Sequence, residues 1–150
     1  MNLGVYTTSL GISEETEAMI NNLNSGVESD KLTAASVFFN SVAFNPLPMK
    51  CGCFNAADLW NFTGTLLSTT LSNVIRASSI VNKAKIYYYY GWEESVPVLH
   101  LINISKSRTI EVLCRDENSN KEYHRLTGKN SAGVVNDFNI DQLLELVQHE

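Results

Sequence analysis

The sequence predicts an α/β domain built on a doubly wound, mostly parallel sheet of five to six strands, with helices on both faces. Three observations carry that prediction. Short runs of β-branched and aromatic residues recur along the chain, separated by helix-length segments with apolar residues at helical spacing. Parallel neighbours cannot be joined by a hairpin, so such alternation requires crossover helices that cover both faces. The 150 residues, 44% hydrophobic and 18% charged, suffice for one such sheet and its core. No internal repeat, low-complexity tract or linker divides the chain, so residues 1–150 are expected to form a single Rossmann-like domain.

The first strand is expected over Leu3–Thr8, where Val5, Tyr6, Thr7 and Thr8 favour extended backbone. It passes through Ser9, Leu10 and Gly11 into a helix start at Ser13, whose hydroxyl can cap free N–H groups. Glu14 and Glu15 suit the positive end of that helix dipole. Ala18, Met19, Leu23 and Val27 continue at helical spacing, with Gly26 near a stop. A second strand spans Ala35–Val42. Pro46 and Pro48 then end regular structure, because each removes a backbone donor. Cys51–Phe54 reads as a short extended piece and Ala56–Trp60 as a short helix closed near Gly64.

The later elements follow the same rules. Thr65–Thr69 is a strand, Leu71–Lys83 a helix, and Lys85–Tyr90 a strand of high β propensity. Pro97 opens a short helix to Ile104, and Thr109–Cys114 is the next strand. Ser119–Thr127 is a polar helix ending at Gly128, suited to a left-handed cap. Gly133–Asn136 is a last short strand. Asn139 and Gln142 have the spacing of a capping box ahead of the apolar-faced helix of Leu143, Leu144, Leu146 and Val147.

Composition narrows the function. The net charge of −5 disfavours a protein that grips nucleic-acid backbones by bulk electrostatics. Three cysteines are too few for a disulfide framework. No apolar run reaches the ~18 residues of a membrane span, and the N-terminus has no signal-peptide pattern, so a cytoplasmic location is expected. Cys51-x-Cys53 lacks a second pair, and His100, His124 and His149 share no ligand spacing, so zinc is not expected.

Ligands of an open parallel sheet bind beyond the carboxyl ends of its strands. The candidate binding residues are therefore Thr8, Ser9, Gly11, Ser68, Thr69, Tyr90, Trp92, Glu93, Arg115 and Asn136. Thr8, Ser9 and Gly11 precede a helix N-terminus and could receive a small anion. Tyr90, Trp92 and Glu93 end the string Tyr87-Tyr88-Tyr89-Tyr90-Gly91-Trp92-Glu93-Glu94 and could hold a sugar or planar ring. Tyrosines alternate across a strand, so at least two of the four belong to the core. Arg115 could meet a phosphate or carboxylate, or a local acid. No Gly-x-Gly-x-x-Gly, Walker loop or Gly-x-Ser-x-Gly elbow is present, and no catalytic residue is assigned.

Two resemblances bear on these residues. Val5-Tyr6-Thr7-Thr8-Ser9-Leu10-Gly11-Ile12-Ser13-Glu14 resembles the hydroxyl-rich phosphate loop of flavodoxins, which implies FMN as a ligand. Phe54–Thr69 followed by Ile86–Glu93, with Ile110–Glu117 and Gly133–Phe138, resembles small glycosyltransferase-like proteins of tailed bacteriophages. Those are similar to one Rossmann-like half of a GT-B glycosyltransferase. This second resemblance implies a nucleotide sugar or sugar phosphate at the strand ends, in the cytoplasm of an infected host cell. A complete GT-B enzyme has two such halves, so catalysis implies a homodimer or a partner protein that supplies the second. A non-catalytic accessory or assembly protein on the same fold is the alternative.

Overall fold

The computed structural model describes residues 1–81, 83–92 and 95–148. Its strands are β1 (Asn2–Leu10), β2 (Ala34–Val42), β3 (Gly52–Asn55), β4 (Gly64–Ser68), β5 (Ala84–Tyr90), β6 (Ile110–Cys114) and β7 (Gly133–Val134). The helices are α1 (Glu14–Glu28), α2 (Leu71–Ile80), α3 (Val98–Ser105), α4 (Glu117–Thr127) and α5 (Ile140–Gln148), with 3₁₀ turns at Ala56–Asn61 and Asn136–Phe138. The seven strands form one sheet in the order β3-β2-β1-β4-β5-β6-β7, and every neighbouring pair is parallel. The doubly wound Rossmann-like arrangement is therefore present. The extended piece at Cys51–Phe54 is a true edge strand, which brings the sheet to seven strands.

Two cores follow from strand alternation. On one face Leu3, Val5, Val37, Leu67, Tyr87, Tyr89 and Leu113 pack under Met19, Ile20 and Leu23 of α1 and Leu143 of α5. On the other, Tyr6, Phe38, Leu66, Tyr88 and Tyr90 pack under Val74 and Ala77 of α2, Leu101 of α3 and Tyr123 of α4. All four consecutive tyrosines are buried, two in each core, where at least two were expected. Strands covered on both faces need no polar face, which explains the nearly unbroken apolar runs.

Most helix ends use the expected chemistry. Ser13 Oγ accepts from the Thr16 N–H at 3.0 Å, and Asp116 Oδ1 from the Ser119 N–H at 2.7 Å. Gly128 sits at φ 70° and closes α4 by donating to the His124 carbonyl. The box at α5 is only half formed. Asn139 Oδ1 takes the Gln142 N–H at 3.1 Å, but Gln142 Oε1 turns to the Asn136 N–H at 2.7 Å. The sequence spacing identified the cap, while the tertiary turn before it redirected the reciprocal bond.

Between β2 and β3 the chain crosses without a helix. Leu47, Met49 and Cys51 pack against the α1-side core, and the buried Asn24 of α1 holds the backbone. Its Nδ2 donates to the Pro48 carbonyl at 2.8 Å and its Oδ1 accepts from the Lys50 N–H at 2.8 Å.

Gly64 opens β4 at φ +126°, and a Cβ there would run into the Asn2 carbonyl of β1. Both backbone strain and a clash with neighbouring main chain oppose any side chain. Gly64→Ala is expected to cost about 2 kcal/mol or more, read as a lower urea midpoint at unchanged m-value.

Candidate functional site at the carboxyl edge of the sheet

The strand order reverses between β1 and β4, since β1 leads through α1 toward β2 while β4 leads through α2 toward β5. A cleft of about 420 Å³ lies by this switch point, where such sheets bind ligands. It is lined by Ser9 and Gly11, by Ile12, Ser13, Glu15 and Thr16 at the start of α1, and by Trp92 after β5.

β1 runs to Leu10 rather than stopping at Thr8. It stays paired with β2 through Ser9↔Ser41 and Leu10↔Val42, whereas β4 ends opposite Tyr6. Thr8 and Ser9 are thus exposed strand residues on a ledge that projects past β4. Leu10 anchors the ledge by entering the α1-side core, out of phase with Leu3 and Val5. Apolar anchoring at Leu10 outweighs the turn tendency of the Ser9–Gly11 stretch.

The α1 N-terminus beside this ledge is answered by its own residues. Ser13 occupies the cap, and Glu14, Glu15 and Glu17 surround the positive end of the dipole. An anion placed there would meet three carboxylates.

Trp92 forms the far wall and is only 7% exposed. Its indole meets Phe138 edge-on, with ring centroids 4.7 Å apart, and lies 5.7 Å from Tyr89. The Arg115 guanidinium stands 4.6 Å from its ring centroid. Arg115 is itself held, with Nε donating to Asp137 Oδ1 at 2.8 Å and Nη1 3.9 Å from Glu15 Oε1. Arg115 thus faces two acids of the folded chain.

Asp137 and Phe138 adopt positive φ, 44° and 61°, a costly backbone for residues with side chains. The buried Tyr89 hydroxyl holds them there. It donates to the Val135 carbonyl and accepts from the Phe138 N–H at 3.1 Å. Asn22 of α1 adds a bond from Nδ2 to the Asp137 carbonyl at 2.6 Å.

The remaining predicted residues fall elsewhere. Tyr90 lies on the opposite face from Trp92, against Tyr88 and Tyr123, so the two do not form one aromatic wall. Thr69 is buried, its hydroxyl 3.2 Å from the Tyr6 carbonyl. Ser68 is fully buried between Tyr6 and Tyr88 in the sheet register. Asn136 is exposed and bonded to Gln142. Glu93 lies outside the described residues.

Ser13, Glu15, Thr16, Tyr89 and Asp137 belong to the site but were not among the sequence candidates. Glu15 carried a signal read as an answer to the helix dipole, and Ser13 one read both as a helix cap and as part of the stretch resembling a phosphate loop. Across the switch point, Tyr6 Oη donates to Asn40 Oδ1 at 2.7 Å, and Asn40 Nδ2 donates to Asn73 Oδ1 at 3.0 Å. Arg76 Nη1 reaches the same Asn40 oxygen at 3.3 Å.

The thiols are not activated nucleophiles. Burial pushes Cys51 and Cys114 each up to about 11, and Cys53 is raised by the same cause. All three cysteines are free, and among the described residues no three His, Cys, Asp or Glu side chains gather as metal ligands. Among those residues, no helix is long and apolar enough to cross a membrane. No protein family, curated protein or solved structure matches the chain.

Two predictions follow from this geometry. Ser68 Oγ is buried and has no hydrogen-bond partner among the described residues. Ser68→Ala removes that desolvated hydroxyl and is expected to raise stability by about 1 kcal/mol in urea melts. The second concerns alkali. Burial raises Tyr89 well above the ordinary phenol value of 10.0, and burial with the Glu122 carboxylate raises Tyr90 to about 12. The thiols rise likewise from 9.0. The unfolded chain therefore loses these protons first, so stability is complete below about pH 9 and falls as pH climbs toward 12. Urea midpoints taken at steps from pH 8 to pH 11 should show this decline, and Tyr89→Phe should make it shallower while costing about 1–3 kcal/mol at pH 8.

Proposed function

We propose that this chain is a glycosyltransferase-like, Rossmann-like binding domain that holds the sugar portion of a nucleotide sugar or sugar phosphate in the cleft beside β1 and α1. The observation that carries this reading is the lining of that cleft. Ser9, Ser13, Glu15, Thr16 and Trp92 line it together, with Ser13 Oγ donating to Thr16 Oγ1 at 2.9 Å. Sugars are recognised by this mixture, because hydroxyls and carboxylates bond the ring substituents while an indole covers apolar C–H surface.

Electrostatics decide which part of the ligand enters. Glu14, Glu15 and Glu17 crowd the α1 N-terminus, and Arg115 is already paired with Asp137. The cleft suits neutral hydroxyls, so the phosphate of such a ligand points away from α1. This departs from the expectation that Thr8, Ser9 and Gly11 receive the phosphate. The strand order β3-β2-β1-β4-β5-β6-β7 begins as the Rossmann order 3-2-1-4-5-6, and the short edge strand β3 is what sets it apart from the flavodoxin order 2-1-3-4-5. Turnover in this reading uses a second domain from a homodimer or partner protein.

One observation favours the reading as an assembly protein. Ile12, Val42 and Phe44 are 70%, 64% and 78% exposed around the same ledge, where Ala43 bonds to Leu10. An apolar rim of this kind fits a protein surface as readily as a substrate.

A thermal-shift panel of UDP-, GDP- and ADP-sugars, with the matching nucleotides, free sugars and FMN, distinguishes these readings. Binding should stabilise the fold by about 2.7 kcal/mol at a hundredfold excess over Kd. The sugar-bearing ligands are expected to shift the protein more than their nucleotides alone, and the exposed-site variants Ser9→Ala and Glu15→Gln should lose that difference. In Trp60→Phe, Trp92 is the remaining indole, and its emission should change on binding. No shift with any sugar ligand and unmoved Trp92 emission would leave the assembly reading, which native mass spectrometry would then test directly.

A further inference from the structure

Three sulfur-bearing side chains, Met49, Cys51 and Cys53, lie on the α1 side of the sheet where the crossing loop enters β3. Cys53 Sγ lies 3.2 Å from Met49 Sδ. Cys53 pairs in register with Val37, which faces the α1-side core, so Cys53 points to that side as well. Cys51, two residues earlier on the extended run, packs against the same core with Met49. The residue between the two cysteines is glycine, and the Phe54 ring occupies the space that its Cβ would fill. Cys53 is exposed, while Met49 and Cys51 are half-buried, so the cluster is open to solvent on one side.

The backbone that carries Met49 is fixed from outside the loop. Asn24 of α1 bonds the Pro48 carbonyl and the Lys50 N–H, the groups on either side of Met49, each at 2.8 Å. Asn24 itself is buried at 9% exposure, while its partners Pro48 and Lys50 are exposed. A donor set held this way needs little ordering on binding.

We propose that Met49, Cys51 and Cys53 form a binding site for a soft monovalent metal ion of the Cu(I) type. The donor chemistry selects the metal. Two thiolates and a thioether suit Cu(I), which accepts two or three sulfur ligands. Zinc prefers four ligands or three with a water, drawn from thiolate, imidazole and carboxylate, and no such group completes the set among the described residues. The spacing is compatible. An ion about 2.3 Å from Cys53 Sγ and Met49 Sδ fits between these atoms 3.2 Å apart, and trigonal geometry asks the pair to separate by roughly 0.8 Å more. Binding forms two metal–thiolate bonds, releases the two S–H protons to solvent and leaves no atom oxidised or reduced. The site lies at the β3 edge, remote in sequence from the β1–α1 cleft, and stands independently of any sugar ligand.

The test is an anaerobic titration of the reduced 150-residue chain against the Cu(I) complex of bathocuproine disulfonate, followed by loss of its colour. One equivalent should transfer, and Cys114→Ser should behave as the wild type because Cys114 is buried in the opposite core. Cys51→Ser and Cys53→Ser should each abolish transfer. Met49→Leu keeps the apolar packing but removes the third sulfur, and should weaken binding about tenfold. Circular dichroism on each variant separates loss of ligand from loss of fold. Failure of the wild type to compete, transfer that survives in both cysteine variants, or equal affinity in Met49→Leu would overturn the three-sulfur site.

Discussion

The hydroxyl of Tyr89 is the bond on which the carboxyl edge of this sheet depends. It reaches from the centre of the α1-side core to Val135 and Phe138 and fixes a turn that the backbone would not otherwise choose. That turn aims Asp137 at Arg115, Arg115 covers the indole of Trp92, and Trp92 closes the cleft. Each step is a short-range contact, yet together they connect a core strand to the candidate site through one phenol. A phenylalanine in place of Tyr89 would fill nearly the same volume and leave a carbonyl and an N–H without their partner, which is why the polar atom rather than the ring is decisive.

The same alternation that places Tyr89 explains what could be read from the sequence. Period-two patterning and crossover-length spacing are local signals, so the strands, the helices and the burial of at least two of Tyr87–Tyr90 were legible. Legibility failed where a tertiary contact overrode local preference. Leu10 draws β1 past its apparent end, and Gln142 abandons its reciprocal cap for Asn136. Tyr90 and Trp92 looked like one wall because period-two alternation puts positions two apart on one face, but β5 ends at Tyr90 and Gly91, at φ +89°, turns Trp92 to the other face. Asp137 gave no warning, since its left-handed backbone is imposed by Tyr89, 48 positions earlier.

Charge then discriminates among the strand ends. All the helices that leave this edge present N-terminal N–H groups, which taken alone would make each an anion site. At α1 the dipole is opposed by three glutamates, while at α2 the first turn carries no acid and Thr70 supplies the cap. The two sides of the switch point are therefore electrostatically unlike, and a ligand with one neutral and one anionic end has a preferred direction across it. Arg115 does not reverse this, because its charge is already shared between Asp137 and Glu15.

Helix α1 links these features. Its run Asn21-Asn22-Leu23-Asn24-Ser25 is poor helix-forming material, since asparagine competes for backbone bonds. Two of the asparagines are explained by what they hold: Asn22 the Asp137 carbonyl, Asn24 the backbone on both sides of Met49. Leucine or alanine at either position would favour the isolated helix and release a loop. The low intrinsic propensity of this segment thus reflects two tertiary obligations. One serves the turn behind the cleft and the other the sulfur cluster at the sheet edge, so a single helix positions two sites that share no residue.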